Sequence, residues 1–242
     1  MGSPELAATE LEERSNLFAD PWERFQGYGV MSLPFSSGHL LAFRRMTASS
    51  IGPAYSSVWH RDPSGSWTMY VNRDPDLSCP RYFSRAVARV VVGDIEVSWE
   101  GPMHLSLRVP EARIQCGMRM SSDLRTRTLS RVLSTVPERI WKVDHLLPMA
   151  GRMAGAALGV GRIALSGRAP NGQRFVVIPR TVFRIEAAAA VVEGRDLGPA
   201  GPLPEQARLG GFWIPNGGVF ATGGARFKRA REYSTDKGGN HE

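Results

Sequence analysis

Cysteine is scarce: Cys79 and Cys116 are the only two in 242 residues. Two thiols cannot build a disulfide framework, and they lack the CxxC spacing of a zinc site, so both read as buried or incidental thiols. Lysine is nearly absent as well, since Lys142, Lys228 and Lys237 are the only lysines among 30 basic residues. A formal charge of +7 and a pI near 10.0 would suit a phosphate backbone. The arginines, however, are scattered along an Ala-, Gly-, Val- and Pro-rich chain in the manner of a GC-rich bacterial genome, and nucleic acid is not the expected partner.

Long apolar runs are missing too. No stretch approaches the roughly 18 uninterrupted apolar residues of a membrane-spanning helix. The opening MGSPELAATELEER is acidic where a signal peptide is basic and then apolar, so the expected location is cytoplasmic. Nucleotide-binding and nucleophile motifs are absent: there is no GxxxxGK[ST], no GxSxG and no GxGxxG between strand and helix. Gly159-Val160-Gly161 lacks a third glycine and follows a helical stretch. No nucleotide cofactor is implied. The five histidines show no HxH or HExxH spacing, and no metal is expected. His60-Arg61-Asp62 matches the kinase catalytic-loop triplet without the Gly-rich loop, lysine or DFG that would give it meaning.

What is present is strand and turn chemistry. Arg162 to Glu186 reads as two strands around Ala169-Pro170-Asn171-Gly172, a turn in which proline presets φ and Asn and Gly accept positive φ. Residues 39–47, 55–60 and 67–72 are further strands, the last two joined through Arg61-Asp62-Pro63-Ser64-Gly65. Residues 73–82 form a loop. Strict alternation follows in three runs. Ile95, Val97 and Trp99 lead into Met103, Leu105, Leu107 and Val109, and then Ala112, Ile114, Cys116 and Met118 make an antiparallel meander. Residues 186–194 read as strand, 195–211 as a long Pro/Gly loop that is functional or covers something, and Phe212 to Phe227 as closing strands.

Two helices interrupt this pattern. Residues 5–25 favour an amphipathic helix, a lid or clasp on the main domain. Residues 121–133 read as a strand or a loop. Thr135-Val136-Pro137-Glu138 is a capping-box pattern that starts a helix carrying Ile140, Val143 and Leu147, and residues 149–158 continue it, with Gly151 and Gly155 spaced for close packing. The expected fold is mainly β: an antiparallel, lipocalin-like barrel or barrel-like sheet with an N-terminal helix and a central helical insertion at about 136–158. The domain reading is an N-terminal helical segment over 1–27, a single β domain over 28–228 and a disordered tail over 229–242.

Aromatic residues in the strands, Trp59, Trp67, Tyr70, Trp99 and Trp213, are candidates to line a pocket for an apolar ligand. His60 beside Asp62, Glu100, and His104 on the polar face of the meander are the candidate acids and bases. Asp144-His145 lies on the central helix and His241 in the tail.

The segments SSVWHRDPSGSWTMYV, the meander over 94–118, and RAPNGQRFVVIP through GGFWIPNGGVFATGGARF together resemble lipocalin-like (calycin) proteins of the carotenoid-hydratase and tocopherol-cyclase sort. The resemblance implies a barrel that holds an apolar substrate, shapes and protonates it, and needs no cofactor. It makes the expected function binding of a hydrophobic small molecule, with cyclisation, hydration or isomerisation in secondary metabolism as its enzymatic version. The cavity is expected inside the barrel, flanked by at least two of Trp59, Trp67, Tyr70 and Trp99. The competing class is a non-enzymatic protein using its basic surface or a sheet edge to hold a protein or nucleic-acid partner. Homodimerisation is left open.

Overall fold

Strands that alternate strictly are buried on one face, whereas strands with continuous apolar runs are buried on both, and this chain has the two kinds in different places. The computed structural model describes residues 2–15, 17, 21–121, 123–137, 141 and 146–229. In order these form α1 (Pro4–Arg14), β1 (Trp22–Pro34), β2 (Leu40–Ser49), β3 (Tyr55–Arg61), β4 (Trp67–Val71) and α2 (Pro80–Phe83). Next come β5 (Arg89–Val92), β6 (Glu96–Gly101), β7 (His104–Val109), β8 (Ile114–Ser121), α3 (Leu124–Thr135) and α4 (Leu147–Leu158). The chain then builds β9 (Ser166–Arg168), β10 (Arg174–Val192), β11 (Arg195–Asp196), β12 (Arg208–Leu209), β13 (Phe212–Trp213) and β14 (Val219–Lys228).

One mainly antiparallel sheet runs β5-β4-β3-β2-β1-β14-β10-β8-β7-β6, with β9 and β11 added to β10 and a parallel step only between β4 and β5. It curls into a half-barrel. Register shifts at Gln26/Gly27 and Val30/Leu33 in β1, and at Pro179/Thr181 in β10, are the bulges that sharpen its twist. The β6–β8 meander alternates exposed and buried residues, as its sequence pattern requires. β2 and β3 begin as fully buried runs because the sheet is covered on both faces there.

The hairpin turn is as the sequence predicts. Arg168 pairs with Arg174, Ala169 N–H donates to the Gln173 carbonyl at 2.8 Å, and Gly172 takes φ +89°. Asn171 also ties the turn to the rest of the molecule, donating its side-chain amide to the Arg81 carbonyl at 3.0 Å. The loop over 195–211 does cover something: Leu203, Ala207 and Leu209 are buried against the outer face of the sheet.

Four boundaries differ from the sequence reading. Residues 80–82, read as part of a loop over 73–82, belong to the short helix α2. β1 begins at Trp22, inside the stretch assigned to a helical segment, because α1 already ends at Arg14. Residues 124–135 are helix α3, not strand or loop. The Asp123 side chain accepts from Thr126 N–H at 2.8 Å and supplies the N-cap, while Leu129, Val132 and Leu133 provide an apolar stripe. Thr135 is therefore the end of a helix, not the start of one, with Val136 at its C-cap, and Glu138 of the expected capping box lies outside the described residues.

α4 matches its expected position. Its two glycines explain how it docks: a Cβ on Gly151 would meet the Ile163 carbonyl at 2.3 Å, and one on Gly155 the Gly161 carbonyl at 1.8 Å. α1 packs its Ala8 into the core within the curl, and Glu12 accepts from Arg45 at 2.9 Å and from the Tyr28 hydroxyl at 3.1 Å. No helix among the described residues is long and apolar enough to cross a membrane.

Candidate functional site

The concave side of the half-barrel carries one hydrophobic cluster. Phe43, Phe183 and Phe220 are buried there with Tyr28, and Trp99 meets Phe220 edge-on at 5.8 Å between ring centres. The expectation of a cavity flanked by at least two of Trp59, Trp67, Tyr70 and Trp99 is corrected: of these four only Trp59 lines the cavity on the opposite, outer face.

The outer face is open because its residues are small. Gly27 of β1 pairs directly with Gly223 of β14, and Gly224 follows. A Cβ at Gly27 would lie 1.9 Å from the Arg45 carbonyl, and one at Gly223 2.2 Å from the Ile178 carbonyl, so the bulged strands cross too closely for any side chain. Helices α3 and α4 bridge over this bare patch without filling it. Between sheet and helices remains a cavity of about 380 Å³, a volume within the roughly 300–1,000 Å³ of small-molecule sites. Its walls are almost wholly apolar, with Phe25, Phe175 and Phe227 from the sheet facing Leu129, Leu133 and Leu147 from the helices. Val132, Leu146 and Met153 also line it while being 55%, 39% and 67% exposed, so it opens to solvent between α3 and α4.

A small polar group sits at the β2–β3 end. Arg44 is 7% exposed and lines the cavity. Nη1 donates to the carbonyls of Val30 and Phe43, and Nη2 donates to that of Met31 at 3.1 Å. The guanidinium lies 4.9 Å from the centre of the Trp59 ring. Burial pushes it down to about 10, against the pull of neighbouring Cys79 and Tyr55, so it remains a cation at neutral pH. No carboxylate lies within ion-pair distance of it among the described residues. A buried charge without a counter-ion costs several kcal/mol.

Cys79 lies beside it, with the Tyr55 hydroxyl at 3.3 Å and the Ser57 hydroxyl at 3.5 Å from its sulfur. Burial raises the thiol, and these hydroxyls and the Arg44 charge work against that rise. Tyr55 is raised well above its ordinary value, chiefly by burial. The Trp59 indole N–H is buried and reaches no acceptor at normal distance.

Of the aromatic candidates, Trp59 and Trp213 line the cavity. Tyr70 and Trp99 belong to the core within the curl, and Trp67 is packed under the outer loop, donating its Nε1–H to the Arg208 carbonyl at 3.1 Å. None of the four candidate acids and bases is on the cavity wall. His60 stacks on His39 with ring centres 5.1 Å apart and a 2.9 Å Nδ1 to Nε2 hydrogen bond. Asp62 closes the β3–β4 turn by accepting from Ser64 at 2.6 Å and Ser66 N–H at 3.0 Å. Glu100 accepts from Ser106, and His104 is exposed on β7. Asp144, His145 and His241 lie outside the described residues.

Arg44 and Cys79 were missed by sequence reasoning. The signal for Arg44 was its place in HLLAFRRM, where both faces of the strand are apolar and one of two adjacent arginines must be buried. Among the described residues no cluster of three or more His, Cys, Asp or Glu could hold a metal, and the cavity lining contains neither carboxylate nor imidazole.

Fold and cavity together define a class: a mainly β, curled-sheet protein with an apolar chamber between the convex face and two helices. No protein-family profile matches the chain, and no curated protein matches it in sequence. Among solved structures, the acetoacetate decarboxylase of Legionella pneumophila subsp. pneumophila str. Philadelphia 1 aligns over 92% of this chain and 92% of its own, at 9% identity and a TM-score of 0.43. A likeness of that degree says nothing of this chain's reaction.

Proposed function

We propose that this protein binds a hydrophobic small molecule in the chamber between the β1/β14/β10 face and helices α3 and α4. The observation that carries this reading is the 380 Å³ apolar cavity itself. Globular interiors close voids of that size, because lining atoms without partners forfeit dispersion energy. Here the chain spends glycines on crossing strands, and α3 and α4 bridge the opening they leave. The lining favours binding over acid–base chemistry. Its titratable groups include Tyr55, Cys79 and Arg44, and burial keeps the first two protonated and leaves the third charged at neutral pH. Where the protein also acts as a cyclase, hydratase or isomerase, the chamber contributes by holding a reactive conformer away from water.

Native mass spectrometry of the freshly purified full chain tests this. The expected result is a co-purified apolar mass, absent from an Ala154→Trp variant whose indole fills the chamber from α4. A bare wild-type chain that also fails to take up any added apolar compound would overturn the proposal.

A further inference from the structure

We propose that the chamber's ligand is an apolar organic acid whose carboxylate is seated on Arg44. This rests on the chamber being a ligand site. A guanidinium has five N–H donors. Three hydrogen bonds to the Val30, Phe43 and Met31 carbonyls leave Nε–H and one N–H of Nη2 without an acceptor among the described residues. Nε and Nη2 share one edge of the guanidinium plane, and that edge matches the two oxygens of a carboxylate in a bidentate pair. The carbonyls of β1 and β2 hold the group in place from the other side but do not neutralise it.

Charge selects the class of head group. One buried cation, with no carboxylate within reach among the described residues, is balanced by a monoanion. A doubly charged phosphate would leave an excess negative charge in an apolar chamber. A neutral alcohol would leave the cation uncompensated. The Trp59 ring 4.9 Å away stabilises the cation from one face and does not compete for its edge. The helices contribute aliphatic lining residues, Leu129, Leu133, Leu147 and Leu158, which suit a hydrocarbon tail.

The test is displacement of a neutral fluorophore, N-phenyl-1-naphthylamine, from the full chain by decanoate, 1-decanol or decyltrimethylammonium at neutral pH. In the wild type decanoate is expected to displace the probe at a concentration about 10-fold or more below that of decanol, with the ammonium weakest. Arg44→Met is expected to keep probe binding and bring decanoate to the level of decanol, while Arg44→Lys restores part of the preference. Equal displacement by decanoate and decanol in the wild type overturns the proposal whether or not the variants fold. So does an acid preference that survives in Arg44→Met with only its melting temperature lowered, since that marks Arg44 as a structural anchor of β1. Failure of the neutral probe to bind at all sinks the chamber reading as well. Probe binding without acid preference sinks this inference alone.

Discussion

At the scale of single residues, burial decides what each group can do. Cys79 lines the chamber, whereas Cys116 is packed in the core within the curl, where burial pushes its thiol up to about 12. N-ethylmaleimide entering the chamber is expected to modify Cys79 ahead of Cys116, at a rate that rises through the alkaline range because the Cys79 thiol is raised, and to be slowed by bound N-phenyl-1-naphthylamine. Peptide mapping by mass spectrometry reads this; equal labelling of both thiols with no protection contradicts it. His60 makes a different prediction. Burial, and then the His39 ring against it, lower its imidazolium from 6.5 to about 4, with Asp62 and Glu193 opposing. A depressed histidine binds its proton more readily in the unfolded chain. Its contribution to stability is therefore complete above about 6.5 and is lost as pH falls toward 4. The loss is on the order of 3 kcal/mol. Chemical denaturation at pH 7 and pH 4.5 is expected to show a smaller drop for His60→Gln than for the wild type, and parallel drops would refute the assignment. The sequence made His60 visible through its type alone. Arg44 was one of many arginines in a strand, and only the two-sided burial of β2 sets it apart.

At the scale of elements, turns and alternation were legible while packing against the outer face was not. The Asn171-Gly172 turn, the β3–β4 hairpin and the three-stranded meander follow from local rules: positive φ at Gly172, proline and glycine between short runs, and a period of two. Helix α3 was hidden because its fully buried positions are the polar Thr126 and Ser130, while the apolar Leu124 and Val132 are exposed. Its hydroxyls also bond back to the backbone, as Thr128 does to the Leu124 carbonyl at 2.8 Å. The glycines at 27, 223 and 224 stood in strand patterns and were the overlooked sign of a close backbone approach. They carry a prediction of their own. Gly27→Ala would push a methyl group into the Arg45 carbonyl, 1.9 Å from the ideal Cβ position. It is expected to cost about 2–4 kcal/mol in urea unfolding. A change below about 0.5 kcal/mol would mean that β1 and β2 do not cross as described.

At the scale of the whole molecule, the sheet is used on both faces. Curling buries its concave side against itself, with Phe43, Phe183 and Phe220 filling the middle. The cavity lies on the convex side, beneath α3 and α4. The expectation of a β-rich, barrel-like sheet with a helical insertion was sound because it rested on alternation and turn signals. The expectation that two of four strand aromatics flank the cavity failed for a reason alternation cannot convey, since it tells which residues share a face but not where that face is left uncovered. Trp59 and Trp213 reach the chamber; Tyr70 and Trp99 belong to the cluster on the other face, and Trp67, on the same face as Trp59, is covered by the loop over 195–211. The central claim is that this convex-side chamber takes an apolar ligand. The most direct test is a fluorescence titration of the full chain with N-phenyl-1-naphthylamine, run on wild type and Ala154→Trp with their thermal transitions recorded alongside. The account predicts a single saturable, blue-shifted site in the wild type and a loss of about 10-fold or more in affinity in a variant that still unfolds cooperatively, about 1.4 kcal/mol of binding energy. Equal binding by the two proteins, or none by the wild type, would contradict it.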